Sequence, residues 1–494
     1  MAFSDAVIDG RDSLLGRVAN TEAIAGPVSP HEHIRRETLE RIQHFLSKPQ
    51  LRVYRDLKGM CERVSDSYRD RVVVELLQNA HDAHPAGAPP GRIRIALDPN
   101  EGACGTLYVA NEGAGFAQRN FDALCSPTLT TKNVNEAIGN KGVGFLSVFQ
   151  VSSHPEVYSR LSDTSGTFDG YCFGFAADGT LRTFLETEEL GDHADQIIAS
   201  MPRLYLACPA SSFPVAVQKL ASERFVTVIR LPLKSDDALT AVQRQLALLS
   251  AQTPPVQLFL PRIKELSVSM DPTIAATVLE RHCEVLQVLD DTRLLKARCG
   301  IRSFIVAEKT VPHQTMLDII LRDIAAEALP EAWEDWTGDA IVSIAVAAHG
   351  DPLEPRLYNF LPMGEGAKAP FSGYLDAPFF ATLDRLRVQD GVEVNTFLLD
   401  TARQLALDAA ALALTSLSRS EARQAVLDLV LWNKTDAAMR ERVLTSAVPL
   451  VPTVPVLGRS EDWATFQKAK IWNGDVFLSP PLGCSSHRLS HRGC

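Results

Sequence analysis

The stretch that decides the fold is Arg-Val-Val-Val-Glu-Leu-Leu-Gln-Asn-Ala-His-Asp-Ala at residues 71–83. At about 100° per residue, a helix over this stretch places Glu75, Asn79 and Asp82 on one narrow face. The apolar side chains fall well away from that face, where they can pack into a core. The helix therefore presents two carboxylates and a carboxamide together. Taken alone, the pattern is equally typical of an ordinary amphipathic helix with a solvated polar face.

Two glycine-bearing stretches follow this helix and favour a ligand site. The first, Asn-Glu-Gly-Ala-Gly-Phe at 111–116, comes after an alternating apolar run at 106–110 that predicts a strand. Gly113 and Gly115 therefore allow a tight turn and a close backbone approach to a ligand. The second, Ile-Gly-Asn-Lys-Gly-Val-Gly-Phe at 138–145, leads into an apolar run that predicts the first turns of a buried helix. Backbone amides at such a helix start suit phosphate.

The order of these motifs resembles the GHKL ATPases, which include the ninety-kilodalton heat-shock chaperone, gyrase, MutL and sensor histidine kinases. A helix with E-x-x-x-N-x-x-D, a strand, N-E-G-x-G, a threonine-rich segment and G-x-x-G-x-G follow one another in this chain. The wording at 75–83 and 138–149 is most similar to the sacsin-type, chaperone-like branch. The resemblance rests on motifs for residues 65–235 and is looser from there to residue 400.

The resemblance implies an α+β fold in four parts. Residues 1–30 are expected to form a flexible N-terminal arm, and residues 31–250 a GHKL (Bergerat) α/β sandwich that binds ATP. Residues 251–395 are expected to form a middle α/β domain, and residues 396–494 a helical region with an irregular tail. Sustained helical periodicity after residue 395 agrees with the last assignment.

The resemblance also implies a role for each matching residue in binding and hydrolysing Mg·ATP. Asn79 would ligate Mg²⁺ through its amide oxygen, and Glu75 would orient or deprotonate the attacking water. Asp82 would act behind the metal ligand or near the ribose and adenine. A basic side chain of the middle domain would reach the terminal phosphate, and Arg385 and Arg387 both stand at the matching place; a surface ion pair is the alternative. The other cofactor-binding residues would be Asn111, Gly113, Gly115, Thr131, Lys132, Gly139, Lys141, Gly142, Val143, Gly144, Phe145 and Thr227.

Asn111 is a departure from the family pattern. Most members carry an aspartate there, whose carboxylate accepts a hydrogen bond from the adenine amino group. An amide oxygen can also accept, but a charge-assisted hydrogen bond is about twice as strong. Glu112 would replace the missing carboxylate only if the turn were rotated. Thr227 matches a family threonine that joins a water network beneath adenine, although strand packing equally explains a β-branched residue there.

The segment before the motifs carries two histidines that invite a different hypothesis. Apolar residues recur at helical spacing between residues 30 and 57, so a helix is expected there. His31 and His33 flank Glu32, as in a phospho-accepting helix of a sensor kinase. That likeness is poor, because the proline of the kinase pattern is missing. Surface histidines on a capping helix are the favoured interpretation.

Composition excludes several classes of protein. The formal net charge of −11 disfavours a surface that grips nucleic acid, because phosphate contacts need clustered Lys and Arg. The nine cysteines are dispersed and include no C-x-x-C pair, so neither a disulfide framework nor a zinc site is indicated. The chain has no P-loop motif and no long apolar run. A cytoplasmic protein without a membrane partner is expected.

Three functions fit these observations. The first is Mg²⁺-dependent ATP binding and hydrolysis. It would close a lid formed by residues 127–136 and drive a conformational change. Such a protein would be chaperone-like, or the motor of a larger complex such as a defence system. Its partners would be protein clients or complex subunits, with a homodimer formed on closure. The second function is a nucleotide-gated binding or scaffold protein with little turnover. The third is a MutL- or gyrase-like nucleic-acid-associated ATPase, which the acidic charge disfavours.

Overall fold

A computed structural model shows how the chain folds over most of its length. It describes residues 29–48, 52–67, 71–85, 87–125, 144–162, 165–210, 212–382, 386–454, 463–465, 467–468 and 488–489. Over these ranges the chain combines helices with a large mixed sheet, so the predicted α+β class is confirmed.

The α-helices occur both before residue 251 and after residue 312 of the sequence. They are α1 (Pro30–Ser47), α2 (Val53–Ser67), α3 (Val72–Asp82), α4 (Gln118–Leu124), α5 (Asp178–Thr187), α6 (Ala194–Ser200), α7 (Val215–Ser222), α8 (Asp236–Ser250), α9 (His313–Ala325), α10 (Glu393–Ser416), α11 (Arg419–Val430) and α12 (Ala437–Thr445). A 3-10 helix at Gly144–Gln150, called the glycine-proximal helix below, follows the second glycine motif.

The strands are most numerous between residues 260 and 380. They are β1 (Gly91–Asp98), β2 (Thr106–Asn111), β3 (Glu156–Ser159), β4 (Phe173–Gly174), β5 (Cys208–Pro209), β6 (Thr227–Pro232), β7 (Ile263–Ser269), β8 (Thr277–Leu289), β9 (Thr292–Cys299), β10 (Arg302–Val311), β11 (Ala340–Ala347), β12 (Arg356–Asn359), β13 (Leu361–Pro362), β14 (Tyr374–Asp376), β15 (Val451–Val454), β16 (Trp463–Ala464) and β17 (Arg488–Leu489).

The first fourteen strands form one hydrogen-bonded sheet in the order β13-β12-β14-β11-β10-β9-β8-β7-β1-β2-β6-β3-β4-β5. Neighbours are antiparallel except for the β1–β7 and β12–β14 pairs. The long strand β8 pairs with β7 over 277–280 and with β9 over 281–289. The hydrogen-bonded sheet therefore runs across residue 250, where the sequence predicts a domain boundary.

Two main hydrophobic cores lie against this sheet. The N-terminal core contains side chains of α3, α8 and the glycine-proximal helix together with β1, β2, β6 and β7. The C-terminal core contains side chains of α9, α10 and α11 with β10, β11 and β14. Helices α10, α11 and α12 occupy the stretch where the sequence predicts helices. Each core covers apolar side chains from its own part of the sheet, which is the main favourable contribution to folding.

The first predicted helix is broken into two. Ser29 accepts a hydrogen bond from Glu32 N, and Pro30 occupies the first helical position, so α1 begins with two strong start signals. It ends at Ser47, and α2 begins only at Val53. Pro49 stands two positions after Ser47 in the sequence, and a proline disfavours helical geometry at the residue before it. The apolar spacing continues through this point, which is why periodicity alone missed the break.

His33 is not the surface histidine that the sequence predicts. It is buried, its Nε2 lies 3.0 Å from Asp122 Oδ1, and its ring sits edge-on to Phe121 and Tyr171. The histidine therefore holds α1 against α4 and the sheet. A buried ring with an engaged Nε2 is poorly placed to accept a phosphoryl group.

Gly113 lets the loop after β2 touch the end of α3. A Cβ placed on Gly113 would overlap the carbonyl of Ala83, and the neighbouring Ala114 N donates to that carbonyl oxygen at 2.6 Å. Gly115 is equally close to the carbonyl of Arg160. Both glycines were predicted to let backbone approach a ligand. In the structure Gly113 lets the loop approach the backbone at the end of α3, and Gly115 lets it approach the backbone that follows β3.

We therefore predict that Gly113→Ala destabilises the protein by about 2 kcal/mol, because the added methyl group must push the loop away from α3. Urea unfolding followed by circular dichroism measures the loss. Gly179→Ala is the matched control, because a methyl group added to the exposed Gly179 in α5 would meet no other atom within 4 Å. An equal, small effect of both substitutions would contradict the close contact at Gly113.

Candidate functional site

Helix α3 forms where the sequence predicts it, because its apolar face has a core to enter. Five apolar residues of this helix are buried in the N-terminal core: Val72, Val73, Leu76, Leu77 and Ala80. The helix contacts β1, β2, α8 and the glycine-proximal helix. These contacts determine which way the remaining, polar face points.

The polar face of α3 is buried, not solvated. Glu75 is 3% exposed, Gln78 0% and His81 2%. The side chain of Asp82 is 3% exposed, and its Oδ1 lies 3.3 Å from His81 Nδ1. Asn79 is half-buried. The hypothesis of an ordinary amphipathic helix with a solvated face is therefore wrong for α3.

Several buried polar atoms of α3 have no hydrogen-bond partner within the described part of the chain. They are Glu75 Oε1, both amide atoms of Gln78, and His81 Nε2. Ser147 Oγ, on the glycine-proximal helix that contacts α3, is also buried without a hydrogen-bond partner in the described chain. A buried polar group without a partner costs about 1–3 kcal/mol in proteins. Water or the polar groups of a ligand would remove that cost.

Glu75 has one cationic neighbour on its own helix. Arg71 Nε lies 3.6 Å from Glu75 Oε1, one turn earlier, and both side chains are largely buried. The distance is too long for a hydrogen bond, so the interaction is electrostatic. The guanidinium of Arg71 therefore lies beside the carboxylate of Glu75 at a largely buried position.

Gln245 of α8 holds the start of α3. Its Oε1 accepts a hydrogen bond from Val73 N at 3.0 Å, across 172 residues of sequence. The residue before the helix, Arg71, provides no side-chain cap. Gln245 thus satisfies one of the first amides of α3, which otherwise have no partner in the helix. Glu75 lies only two residues further along, so α8 helps to orient it.

His84 closes the other end of the helix. Its Nδ1 lies 2.8 Å from Ala80 O, and the ring is buried against Gly91. Burial lowers the pKa of His84 because the charged ring would lose its water. A neutral ring that donates from Nδ1 fits this environment.

Asn111 and Thr227 lie opposite each other in the sheet. Asn111 ends β2 and pairs in register with Thr227 of β6, which in turn pairs with Ser159 of β3. All three are buried, and Thr227 Oγ1 lies 3.3 Å from Ser159 Oγ. Ser159 Oγ also accepts a hydrogen bond from Phe116 N at 2.8 Å. Asn111 Nδ2 is buried without a hydrogen-bond partner in the described chain.

Glu112 is not rotated toward this row. Its carboxylate accepts hydrogen bonds from Arg92 N at 2.9 Å and from Arg92 Nε at 2.7 Å. A carboxylate engaged twice by one arginine is not free to replace the missing aspartate. Asn111 is therefore the residue that faces this part of the site.

The structure brings some of the predicted site residues near one another and leaves others apart. Glu75, Asn79 and Asp82 lie on α3, which contacts the strand of Asn111 and the helix of Gly144 and Phe145. Arg387 lies on an exposed turn, where its N–H donates to Thr382 Oγ1 at 3.3 Å, and no described contact joins it to α3. The predicted residues outside the described ranges are Thr131, Lys132, Gly139, Lys141, Gly142, Val143 and Arg385.

Sequence reasoning missed four residues of this region: Gln78, Ser147, Ser159 and Gln245. Gln78 was detectable, because on a helix it lies about 60° from Glu75. Ser147 and Ser159 stand in apolar runs where a serine attracts no notice. Gln245 belongs to a distant helix, and no local pattern shows that it reaches α3.

Comparisons with known proteins add one distant relative. No protein-family model matches the sequence. The chain is 25% identical over 373 residues to Protein NO VEIN of Arabidopsis thaliana, an alignment that covers 74% of this chain and 12% of that protein. The chain thus matches a small part of a much longer protein, whose name states no activity. Among the described helices, none has both the length and the apolar composition needed to cross a bilayer.

The role of Gln245 gives a prediction. Gln245→Met is expected to destabilise the protein by about 1 kcal/mol, because Val73 N loses its acceptor. Gln245→Glu keeps an acceptor and adds negative charge at the start of a helix, so it should retain the parental stability. Urea unfolding of both variants measures the difference. Equal stability of the Met variant and the wild type would show that the bond does not cap α3.

Proposed function

We propose that this protein binds Mg·ATP and hydrolyses it at a GHKL-type site between α3 and the glycine-proximal helix. The observation that carries the proposal is a pair of buried side chains on α3: Glu75 Oε1 and both amide atoms of Gln78 have no hydrogen-bond partner in the described chain. A triphosphate with its metal and waters would supply those partners. The motif order in the sequence, which resembles the GHKL ATPases, supports ATP as the ligand.

Each residue in the proposal has a chemical task that its environment suits. Asn79 offers a neutral amide oxygen to Mg²⁺, a hard cation that takes oxygen ligands. No group of three or more His, Cys, Asp or Glu in the described ranges could hold a metal by itself. When bound, Mg²⁺ would neutralise phosphate charge. Glu75, beside Arg71, would accept the proton of the attacking water.

The connections of α3 support a link between nucleotide and conformational change. Helix α8 contacts α3, holds its first turn through Gln245, and contacts β7. Strand β7 pairs with β8, which continues into the C-terminal half of the sheet. A movement of α3 on nucleotide binding would therefore reach the second core. We propose a chaperone-like protein, or the motor of a larger complex, that acts on protein clients or subunits and dimerises on closure.

Two substitutions separate binding from turnover. Glu75→Ala is expected to retain Mg·ATP binding and to lower turnover by at least about 100-fold, because the general base is lost. Asn79→Ala should weaken both binding and turnover, because the metal loses its protein ligand. Calorimetry with a non-hydrolysable analogue and steady-state phosphate release provide the two measurements. Parental turnover in purified Glu75→Ala would refute the assignment of the base.

A second function, nucleotide-gated binding with little turnover, is favoured by one observation. Asn111 places a buried amide where a carboxylate acceptor would be expected, and its Nδ2 has no partner in the described chain. A weaker hydrogen bond to the adenine ring lowers the affinity for ATP and so disfavours rapid hydrolysis. A protein of this kind would sense nucleotide and change its binding partner without rapid hydrolysis.

Asn111→Asp tests that observation. The carboxylate is expected to tighten Mg·ATP binding several-fold, because charge-assisted hydrogen bonds are about twice as strong as neutral ones. Asn100→Asp, on an exposed turn, adds the same charge away from the site and should leave affinity unchanged. Calorimetric dissociation constants decide the outcome. Unchanged or weaker binding by Asn111→Asp would show that the adenine ring does not bind at Asn111.

A further inference from the structure

Gln78 is the most unusual polar residue of α3. It is fully buried, and neither its amide oxygen nor its amide nitrogen has a hydrogen-bond partner in the described chain. A glutamine in this position costs stability and contributes nothing to the apolar core of α3. Methionine would fit the same volume without that cost. The presence of a carboxamide at this position therefore needs an explanation from function.

One other glutamine in the described chain is buried with both of its amide atoms unpaired. Gln257 lies in the connection before β7 and also has both amide atoms unpaired in the described chain. The next two residues, Leu258 and Phe259, belong to an apolar cluster with side chains of β9, β10 and β11. Gln78 differs because partnerless polar atoms of Glu75 and Ser147 lie on its own helix and on the helix that α3 contacts.

The spacing on α3 allows one water to serve two of these groups. Residues three apart on a helix have Cβ atoms about 5–6 Å apart and lie on the same side. Glu75 and Gln78 have this spacing. A buried water usually makes about three hydrogen bonds to polar groups that otherwise lack partners. Glu75 Oε1 and Gln78 Oε1 are two acceptors for its two hydrogens.

We propose that Gln78 positions the water that attacks the nucleotide, by holding it jointly with Glu75. This inference rests on the proposed ATP hydrolysis. The water oxygen forms a bond to the terminal phosphorus, and the bond from that phosphorus to the bridging oxygen breaks to release ADP. One proton of the water passes to the Glu75 carboxylate and then to the phosphate product. Gln78 Oε1 accepts a hydrogen bond from the second hydrogen, which stays on the attacking oxygen, and so keeps a lone pair of that oxygen in line with the phosphorus.

The test compares two matched variants of the full chain, Gln78→Met and Gln257→Met. Both replace a buried, partnerless carboxamide by an apolar side chain of similar size, so both should keep or raise the melting temperature. Only Gln78→Met is expected to lower kcat, by at least about tenfold, because the water loses one of its two holders. Its dissociation constant for a non-hydrolysable ATP analogue with Mg²⁺ should stay within about twofold of the parental value, since the metal and phosphate ligands are unchanged.

Each alternative outcome has a definite meaning. Parental kcat in Gln78→Met, with turnover in the wild type, overturns the role of Gln78 and leaves ATP hydrolysis standing. Loss of analogue binding in Gln78→Met overturns it as well, because Gln78 would then hold the ligand and not the water. An equal loss of kcat in Gln257→Met would overturn the proposal, because the loss would then follow from replacing any buried carboxamide and not from a water held by Gln78. No turnover in the wild type overturns the proposed hydrolysis together with this inference. Gln78→Ala, which leaves room for the water, is the second variant if Gln78→Met does not fold.

Discussion

A buried polar helix face is expensive, and α3 has one. Glu75, Gln78 and His81 are almost fully enclosed, yet each has an atom without a hydrogen-bond partner in the described chain. Folding can maintain this arrangement only because the opposite face of α3 buries five apolar side chains in the N-terminal core. Removing apolar surface from water supplies roughly 1.5–3 kcal/mol for each fully buried large side chain. The core thus offsets the cost of keeping these polar groups out of water.

The rest of the N-terminal half serves to hold α3 at both ends. Gln245 satisfies an amide at its start, and the loop around Gly113 closes against the carbonyl of Ala83, the residue that follows its last turn. These two attachments come from different parts of the chain, one on α8 and one after β2. A helix held in this way keeps its polar groups at fixed positions, which is what preorganised electrostatics in a catalytic site requires. The attachment through Gln245 also connects α3, by way of α8, β7 and β8, with the C-terminal half of the sheet.

The sequence predicted local elements well and distant relations poorly. The helix expected over 71–83 is α3, and the strands expected at 91–97 and 106–110 are β1 and β2, because alternation and helical spacing are local properties. The pairing of β1 with β7 joins residues more than 160 positions apart, and no local pattern encodes it. The same limit hid Gln245. The candidate site was only partly predictable: the motifs singled out Glu75, Asn79 and Asn111 as candidates, but the missing partners of Gln78 appear only once burial is known.

A structure with Mg²⁺ and a non-hydrolysable ATP analogue tests the central claim most directly. The account predicts a triphosphate between the polar face of α3 and the start of the glycine-proximal helix, with Asn79 on the metal and a water between Glu75 and Gln78. Ordered waters alone on this face at saturating analogue, or a nucleotide bound elsewhere on the protein, would contradict it.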